Sequence, residues 1–491
     1  MESLIRPLKH NRAVIEILTA ILVGYLAGRF AIKNQSAAVI ALPVLLLGTI
    51  LIVFRHSAIK SITKAASFGL FTTFVLLYLT GIPKMPPLPF SPIFFVIGIY
   101  LLYGVFNPSA ALNRSWVESN KVFLLIALCW LFRYIVAFIA KGSLYVDMQF
   151  IELIGIAIIL RSFIKNDLEK AKAATRVIAL VFIASSAWFV MEQFSGVLPI
   201  VRYFIYRTMF ESADERTLTL TFKLANGLSP YIFLFGYQIA AAVPLLTVLL
   251  LSEKKTGWKA LWAFGSILCI ASMAILAERS VVLASLIAIL FHLYRKRRLG
   301  AAFAVIFLLL VSFSVMQMFG AQNIFTRIKD SGSVSEGFDR IWLQLTGLSV
   351  AFKNPLGLIL TGGSWADEVY SSGADFSTWG GIEIGIHNSY IGRVIAYGWA
   401  FGALMIAVLW RLARGINKVL GNRSQQTKDT DGYADATAAS LLSVLIQALF
   451  HNSSIFTFNS TSMVIMFFFL MWHDLRSKTG GAVVAPNEAG Q

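Results

Sequence analysis

Apolar runs of about 20 residues recur along almost the whole chain, each long enough to cross a bilayer as a helix. No single motif constrains the fold as strongly. Inside hydrocarbon each backbone amide needs a partner within its own segment, so such runs fold as membrane helices. The runs fall at about 13–32, 36–54, 66–83, 89–106, 122–140, 149–164, 177–195, 228–251, 259–277, 280–294, 301–319, 389–410, 437–450 and 457–473. The 491-residue chain is 57% hydrophobic and 14% charged, with a mean hydropathy of +0.73, outside the range of ordinary soluble domains. The expected class is all-α: a polytopic helical membrane protein of about 12–14 transmembrane helices. Residues 1–478 read as a single transmembrane domain, and the Gly/Ala/Pro-rich stretch 479–491 as a disordered cytoplasmic tail. The first run follows a basic start (Arg6, Lys9, Arg12) without a clear cleavage site, so it reads as a retained span.

The formal net charge of +17 would suit a nucleic-acid binder in a soluble protein. Here the basic residues sort by loop instead, and no nucleic-acid partner is expected. About 27 of the 42 Lys and Arg fall in the termini and alternate loops, among them Lys170, Lys254, Arg295, Arg414 and Arg476. The positive-inside rule then makes both termini cytoplasmic and puts the long polar segment 320–388 outside. Cys129 and Cys269 lie within apolar runs and read as small core residues. The outer loops are lopsided, with two long ones at 196–227 and 320–388. No pair of halves with matching hydropathy marks an inverted-repeat transporter.

Charged groups in or beside spans are expensive and therefore informative. Arg133 lies within the fifth run, either paired with Glu152 or Glu192 or lining a substrate channel. In the 196–227 loop, Arg202, Arg207, Arg216 and Lys223 face Glu211, Asp214 and Glu215. They pair locally or hold a phosphate-bearing partner, and Arg216, near the polar centre, is the best placed of the four. At the tight turn Ala277-Glu278-Arg279-Ser280, Ser280 is expected to cap the following helix. Arg279 there either completes an anion site at the helix start or reaches to lipid phosphate.

The 320–388 loop has its own order. Ser333 and Glu336 fit a capping box, and Phe338, Ile341, Trp342, Leu345, Leu348 and Phe352 recur at helical spacing until Asn354-Pro355. A helix lying on the bundle or in the interface is expected, with Arg340 and Gln344 opposite its apolar stripe. Arg340 is either held toward an outer cavity or simply solvated. Glycines and aromatics follow (Gly362, Gly363, Trp365, Tyr370, Phe376, Trp379), suited to a sugar-binding loop or to interface anchoring.

Gly385-Ile386-His387-Asn388-Ser389-Tyr390 then runs into an apolar helix. A histidine serves readily as general base near neutral pH, and it also serves to bond loop backbone; both readings apply to His387. Gly398 and Gly402, with Gly392, have the spacing for close helix packing. His451-Asn452 is a second pair for the same cavity. No Cys/His metal spacing, phosphate-binding loop or nucleophile elbow is evident, so metal-independent chemistry without a cofactor is expected.

Together Arg340-Ile341-Trp342, Asn354-Pro355-Leu356-Gly357, His387-Asn388-Ser389-Tyr390-Ile391 and Tyr397-Gly398-Trp399-Ala400-Phe401-Gly402 resemble the O-antigen ligase/polymerase family signature. Glu278-Arg279-Ser280 is similar to that family's Ser-Arg-Gly turn, although it lacks the Gly and the preceding Ser. The motif-bearing part covers about residues 270–412. The resemblance implies a GT-C-like, metal-independent inverting glycosyltransferase in the bacterial inner membrane, with a large periplasmic loop over 320–388. Its donor would be an undecaprenyl-pyrophosphate-linked glycan. Its acceptor would be a second lipid-linked glycan in a polymerase of O-antigen or exopolysaccharide, or lipid A-core in a ligase. A chain-length regulator is a possible partner. It also implies His387 as base, Arg279, Arg340 and Arg216 as pyrophosphate ligands, and Asn388 and Tyr390 in support. A lipid-linked oligosaccharide flippase or transporter is the alternative from another class.

Overall fold

The computed structural model describes residues 121–142, 167–195, 197–198, 227–229, 232–276, 278–297, 300, 333–371, 386–421, 431–457 and 459–481. Among the described residues the regular elements are all α-helices. They are α1 (Lys121–Lys141), α2 (Leu168–Glu192), α3 (Ile232–Ser252), α4 (Thr256–Leu276), α5 (Arg279–Arg295), α6 (Ser333–Lys353), α7 (Leu358–Thr361), α8 (Trp365–Ser371), α9 (Ser389–Gly421), α10 (Asp431–Gln447) and α11 (Ser460–Gly481). Five of these, α1, α2, α3, α4 and α9, are long and apolar enough to cross a membrane. The chain is a helical membrane protein. The apolar runs at 13–32, 36–54, 66–83, 89–106, 149–164 and 301–319 lie outside the described residues, as does the 199–226 part of the first long loop with Arg216.

The helix at the centre is α3. It is apolar on every side, as a helix enclosed by others must be, and it packs against α2, α4, α5, α10 and α11. Ala240, Ala241 and Ala242 let α10 come close enough for Ser440 to donate to the Ala241 carbonyl at 2.8 Å. Other buried polar side chains are satisfied between helices: Ser185 donates to Gln238 at 2.7 Å, and Ser186 meets Cys269 at 3.2 Å. Both cysteines are free and buried.

Several helices outrun their apolar stretches. Asp167 caps α2 through its carboxylate, accepting from the Glu169 and Lys170 amides at 3.0 and 3.2 Å, so the helix begins with a polar turn ahead of the hydrophobic run. α9 carries on past its apolar part to Gly421 by burying Leu412, Ile416, Val419 and Leu420 on one side while Arg411 and Arg414 stay exposed. Hydropathy marks the membrane-crossing part of a helix, and amphipathic extensions escape it.

The bundle has two chemically distinct ends. At one, ion pairs bind the helices together: Lys296 to Asp435 at 2.7 Å, Arg476 to Asp435 at 3.7 Å, and Arg176 to Glu253 at 4.0 Å, with Tyr433 bonded to Arg176 at 2.9 Å. Arg176 also lies 4.6 Å over the Trp258 ring. The other end carries Glu278, Arg279, His387 and His451, joined among the described residues by backbone turns.

α6 lies on the bundle, beside the first half of α9, but the face that packs is the one with Gly347 and Ala351 and not its apolar stripe. Leu343 and Val350 are 1% and 2% exposed, whereas Trp342 and Phe352, in the apolar stripe, are 61% and 69% exposed. The apolar stripe therefore points away from the bundle. α6 stops at Lys353, where Asn354 and Pro355 were expected to end it.

Candidate active site

Three chain segments meet at the His387 end, and the turn after α10 joins them. Asn388 caps α9: its side-chain oxygen accepts from the Tyr390 and Ile391 amides, both at 3.1 Å. The Ser389 amide donates to the Ala448 carbonyl at 3.0 Å, and the Ser389 hydroxyl to that of Ser454 at 2.6 Å. The buried Tyr390 hydroxyl donates to the Leu445 carbonyl at 2.8 Å. Residues on both sides of the 448–454 turn thus hold the start of α9 in place.

The same turn grips the α4–α5 hairpin. His451 pairs with the Glu278 carboxylate, and its Nε2 lies 3.0 Å from the Ser280 hydroxyl. Gln447 donates to Glu278 at 3.4 Å, and Tyr237 from α3 bonds the Ser453 carbonyl. Ser280 was expected to cap α5, but the N-cap position belongs to Glu278, and no side chain caps there. The Ser280 hydroxyl is instead spent on His451 and, at 3.4 Å, on Glu278. Arg279, the first residue of α5, is exposed at this end. His451 belongs to the same cluster, on the arginine side of it.

Glu278 is the functional-looking group that sequence reasoning passed over. Gly236 faces it, and a side chain there would collide with its carboxylate. A signal existed: an acid, an arginine and a distant histidine each stand at the end of an apolar run. A carboxylate beside Arg279 would oppose an anion there, and its contacts to His451 and Gln447 hold it against the 448–454 turn.

His387 sits with φ 48°, in the left-handed region where an ordinary side chain is strained, and it is partly buried. The residue before it explains how that shape is enforced. Ile386 is buried, wedged between α6 and α9 where two glycines make room. A Cβ on Gly347 would overlap the Ile386 Cδ1, and one on Gly392 would stand 3.2 Å from its Cγ2. At about 100° per residue, position 340 of α6 shares the face of Gly347 and Ala351, the face that packs on α9. The helix thus brings position 340 to the side that carries the His387 loop. Its side chain lies outside the described residues.

Among the described residues Gly398 and Gly402 do not form the close helix–helix face their spacing suggested. Gly398 breaks the helical geometry of α9 with φ 80° and ψ −179°. Pro355-Leu356-Gly357 docks into the break: the Pro355 carbonyl accepts from the Trp399 amide at 3.0 Å. A Cβ on Gly357 would come within 2.5 Å of the Gly398 nitrogen. Gly402 abuts Val394 and Trp399 of its own helix. Trp399 also donates to the Ala351 carbonyl at 2.9 Å, locking the end of α6 to α9.

Of the aromatic loop beyond, Trp365 is partly buried in α8, whose start Ser364 caps by accepting from the Asp367 amide at 3.1 Å. Phe376 and Trp379 lie outside the described residues. The Glu192 carboxylate accepts from the Gly227 amide at 3.2 Å. Arg133 lies 4.9 Å over the Trp130 ring, and Glu152 lies outside the described residues.

A scan against protein-family models matches no family, and a search of curated proteins finds no match.

Proposed function

We propose that this protein is a GT-C-like membrane glycosyltransferase that polymerises undecaprenyl-pyrophosphate-linked repeat units into exopolysaccharide or O-antigen. The reaction would take place at the periplasmic face of the bacterial inner membrane, with both termini cytoplasmic and residues 320–388 outside. The observation that carries this reading is the 448–454 turn, which ties the Arg279 hairpin to the start of the His387 helix. A base and a cationic group joined through one rigid turn suit transfer from a phosphorylated donor.

In the proposed step His387 takes the proton of an acceptor hydroxyl. The freed oxygen attacks the anomeric carbon of the donor from the face opposite the leaving group. The bond to the lipid pyrophosphate breaks with inversion, and Arg279 and Arg340, with Arg216, hold the departing charge. Guanidinium forks match phosphate oxygens in pairs. Asn388 and Tyr390 support the base by fixing the start of α9. The step needs neither metal nor cofactor, because the donor carries its own leaving group. The substrates are the lipid-linked donor and a lipid-linked glycan acceptor; a chain-length regulator is a fitting partner, and nucleic acid is not.

Complementation of a deletion strain tests this. His387→Ala should abolish glycan extension while the protein still accumulates in the membrane; normal chain lengths would refute the assignment. Arg340→Lys should be impaired despite keeping its charge. The glycan profile of the deletion separates acceptors. Loss of long chains with single repeats still on lipid A-core indicates a polymerase, whereas long chains stranded on the carrier lipid indicate a ligase.

A further inference from the structure

The outer face of α9 changes chemistry toward its C-terminal end. Ala403, Ile406, Trp410, Arg414 and Lys418 recur at helical spacing and are exposed, while Leu412, Ile416 and Val419 are buried on the opposite side. Ile406 and Trp410 are each 59% exposed. From Ile406 to Lys418 the face runs about 18 Å along the axis, apolar first, then aromatic, then cationic. The Arg414 guanidinium lies 4.9 Å over the Trp410 ring, and exposed Arg411 flanks the pair. Arg476 donates to the Val419 carbonyl at 2.9 Å, so this face runs out at the ion-paired end of the bundle.

Three cations spaced three and four residues apart on one helix repel one another. Among the described residues no carboxylate pairs with them: Glu253 and Asp435, acids of this end, are engaged by Arg176, Lys296 and Arg476. The helix C-terminus favours Lys418 in its last turn, but that effect fades within a turn and leaves Arg411 and Arg414 uncompensated. Position along the face says what supplies the counter-charge. An exposed apolar strip beside membrane helices meets acyl chains, tryptophan sits at the headgroup boundary, and cations within the next two turns reach phosphate. We infer that this face of α9 binds the headgroup of an anionic phospholipid, with Ile406 and Trp410 along its acyl chains and Arg411, Arg414 and Lys418 around its phosphate. A zwitterionic headgroup brings its own ammonium, so a lipid with net negative charge is the one that relieves the repulsion. Stacking on Trp410 fixes the Arg414 fork, which then takes phosphate oxygens in pairs. The inference stands whether or not glycosyl transfer is the reaction.

The test uses the purified full chain in nanodiscs of phosphatidylcholine with a titrated fraction of phosphatidylglycerol brominated on an upper acyl carbon, which quenches nearby tryptophan fluorescence. Subtracting the signal of the matching Trp410→Phe form isolates Trp410 from the other tryptophans. Brominated phosphatidylglycerol should quench Trp410 at a lower mole fraction than brominated phosphatidylcholine does. Each cation at an anionic membrane surface contributes about fivefold in affinity. Arg414→Gln should therefore raise the half-quenching fraction of phosphatidylglycerol about fivefold, and Arg414→Gln/Lys418→Gln about 25-fold, toward the phosphatidylcholine value. High salt should weaken the preference in the wild type. The substituted side chains are exposed, so both variants should melt with the wild type in neutral detergent without added lipid. Equal quenching by the two lipids in the wild type would overturn the inference, as would a preference that survives the double variant. A variant melting well below the wild type would overturn it too, by making these cations structural. Arg414-dependent binding of poly-glutamate without any lipid preference would assign the face to an acidic protein instead.

Discussion

His387 combines two properties that pull against each other. A side chain in the left-handed region costs roughly 1–2 kcal/mol, and asparagine bears that conformation better than histidine does. Holding a histidine there lowers stability, so replacing it separates a chemical role from a structural one. His387→Asn should melt at the wild-type temperature or slightly above it while glycan extension is lost; a clear drop in melting temperature would mark the imidazole as a structural bond-maker. The residue itself was legible, because a histidine at the edge of an apolar run stands out in composition. Its backbone conformation was not, since it follows from Ile386 being wedged between Gly347 and Gly392 on two different helices. The role of Ser280 escaped for the same reason. Spacing finds a hydroxyl near a helix start, but it cannot find His451, 171 residues later, waiting to use that hydroxyl.

Among the elements, α6 and α9 show which part of a helical reading survives packing. The periodicity of α6 and its stop before Asn354 are local properties, and both hold. Which face turns inward is a property of the neighbour: α9 receives Gly347 and Ala351, and the larger apolar side chains are left outside. An outward apolar stripe beside membrane helices suits lipid contact. Glycine spacing in α9 likewise suggested a packing face, whereas the backbone uses Gly398 as a break that admits the Pro355 turn. The glycines should therefore respond differently to the same added methyl. Gly398→Ala meets the Pro355 carbonyl at 2.5 Å and a strained φ, and should destabilise by about 2 kcal/mol or more and impair activity. Gly392→Ala meets only the Ile386 side chain at 3.2 Å, and should cost distinctly less. Thermal melts of the two purified variants decide it; equal losses would mean that the kink is not what docks α6.

At the scale of the whole molecule, the two ends of the bundle differ in a way that orients it. Lys170, Lys172, Lys254, Lys255, Lys296 and Arg476 gather with Arg176 at one end, and His387 and His451 stand at the other. Basic residues mark the cytoplasmic side, so the His387 end is expected to face the periplasm. Hydropathy made the membrane class legible. It could not reveal how the ends are assembled, because Arg176–Glu253 and Lys296–Asp435 join residues far apart in sequence. The orientation can be tested without removing the native cysteines, since Cys129 and Cys269 are 1% and 0% exposed and should stay silent to a thiol reagent. Asn452→Cys would place a thiol at the exposed turn beside His451, and Lys254→Cys an exposed thiol at the basic end. In intact spheroplasts a membrane-impermeant maleimide should label the first and spare the second until the membrane is permeabilised. The reverse pattern would put His387 and Arg279 in the cytoplasm. That would remove the periplasmic donor on which the proposed reaction depends, while leaving the fold untouched.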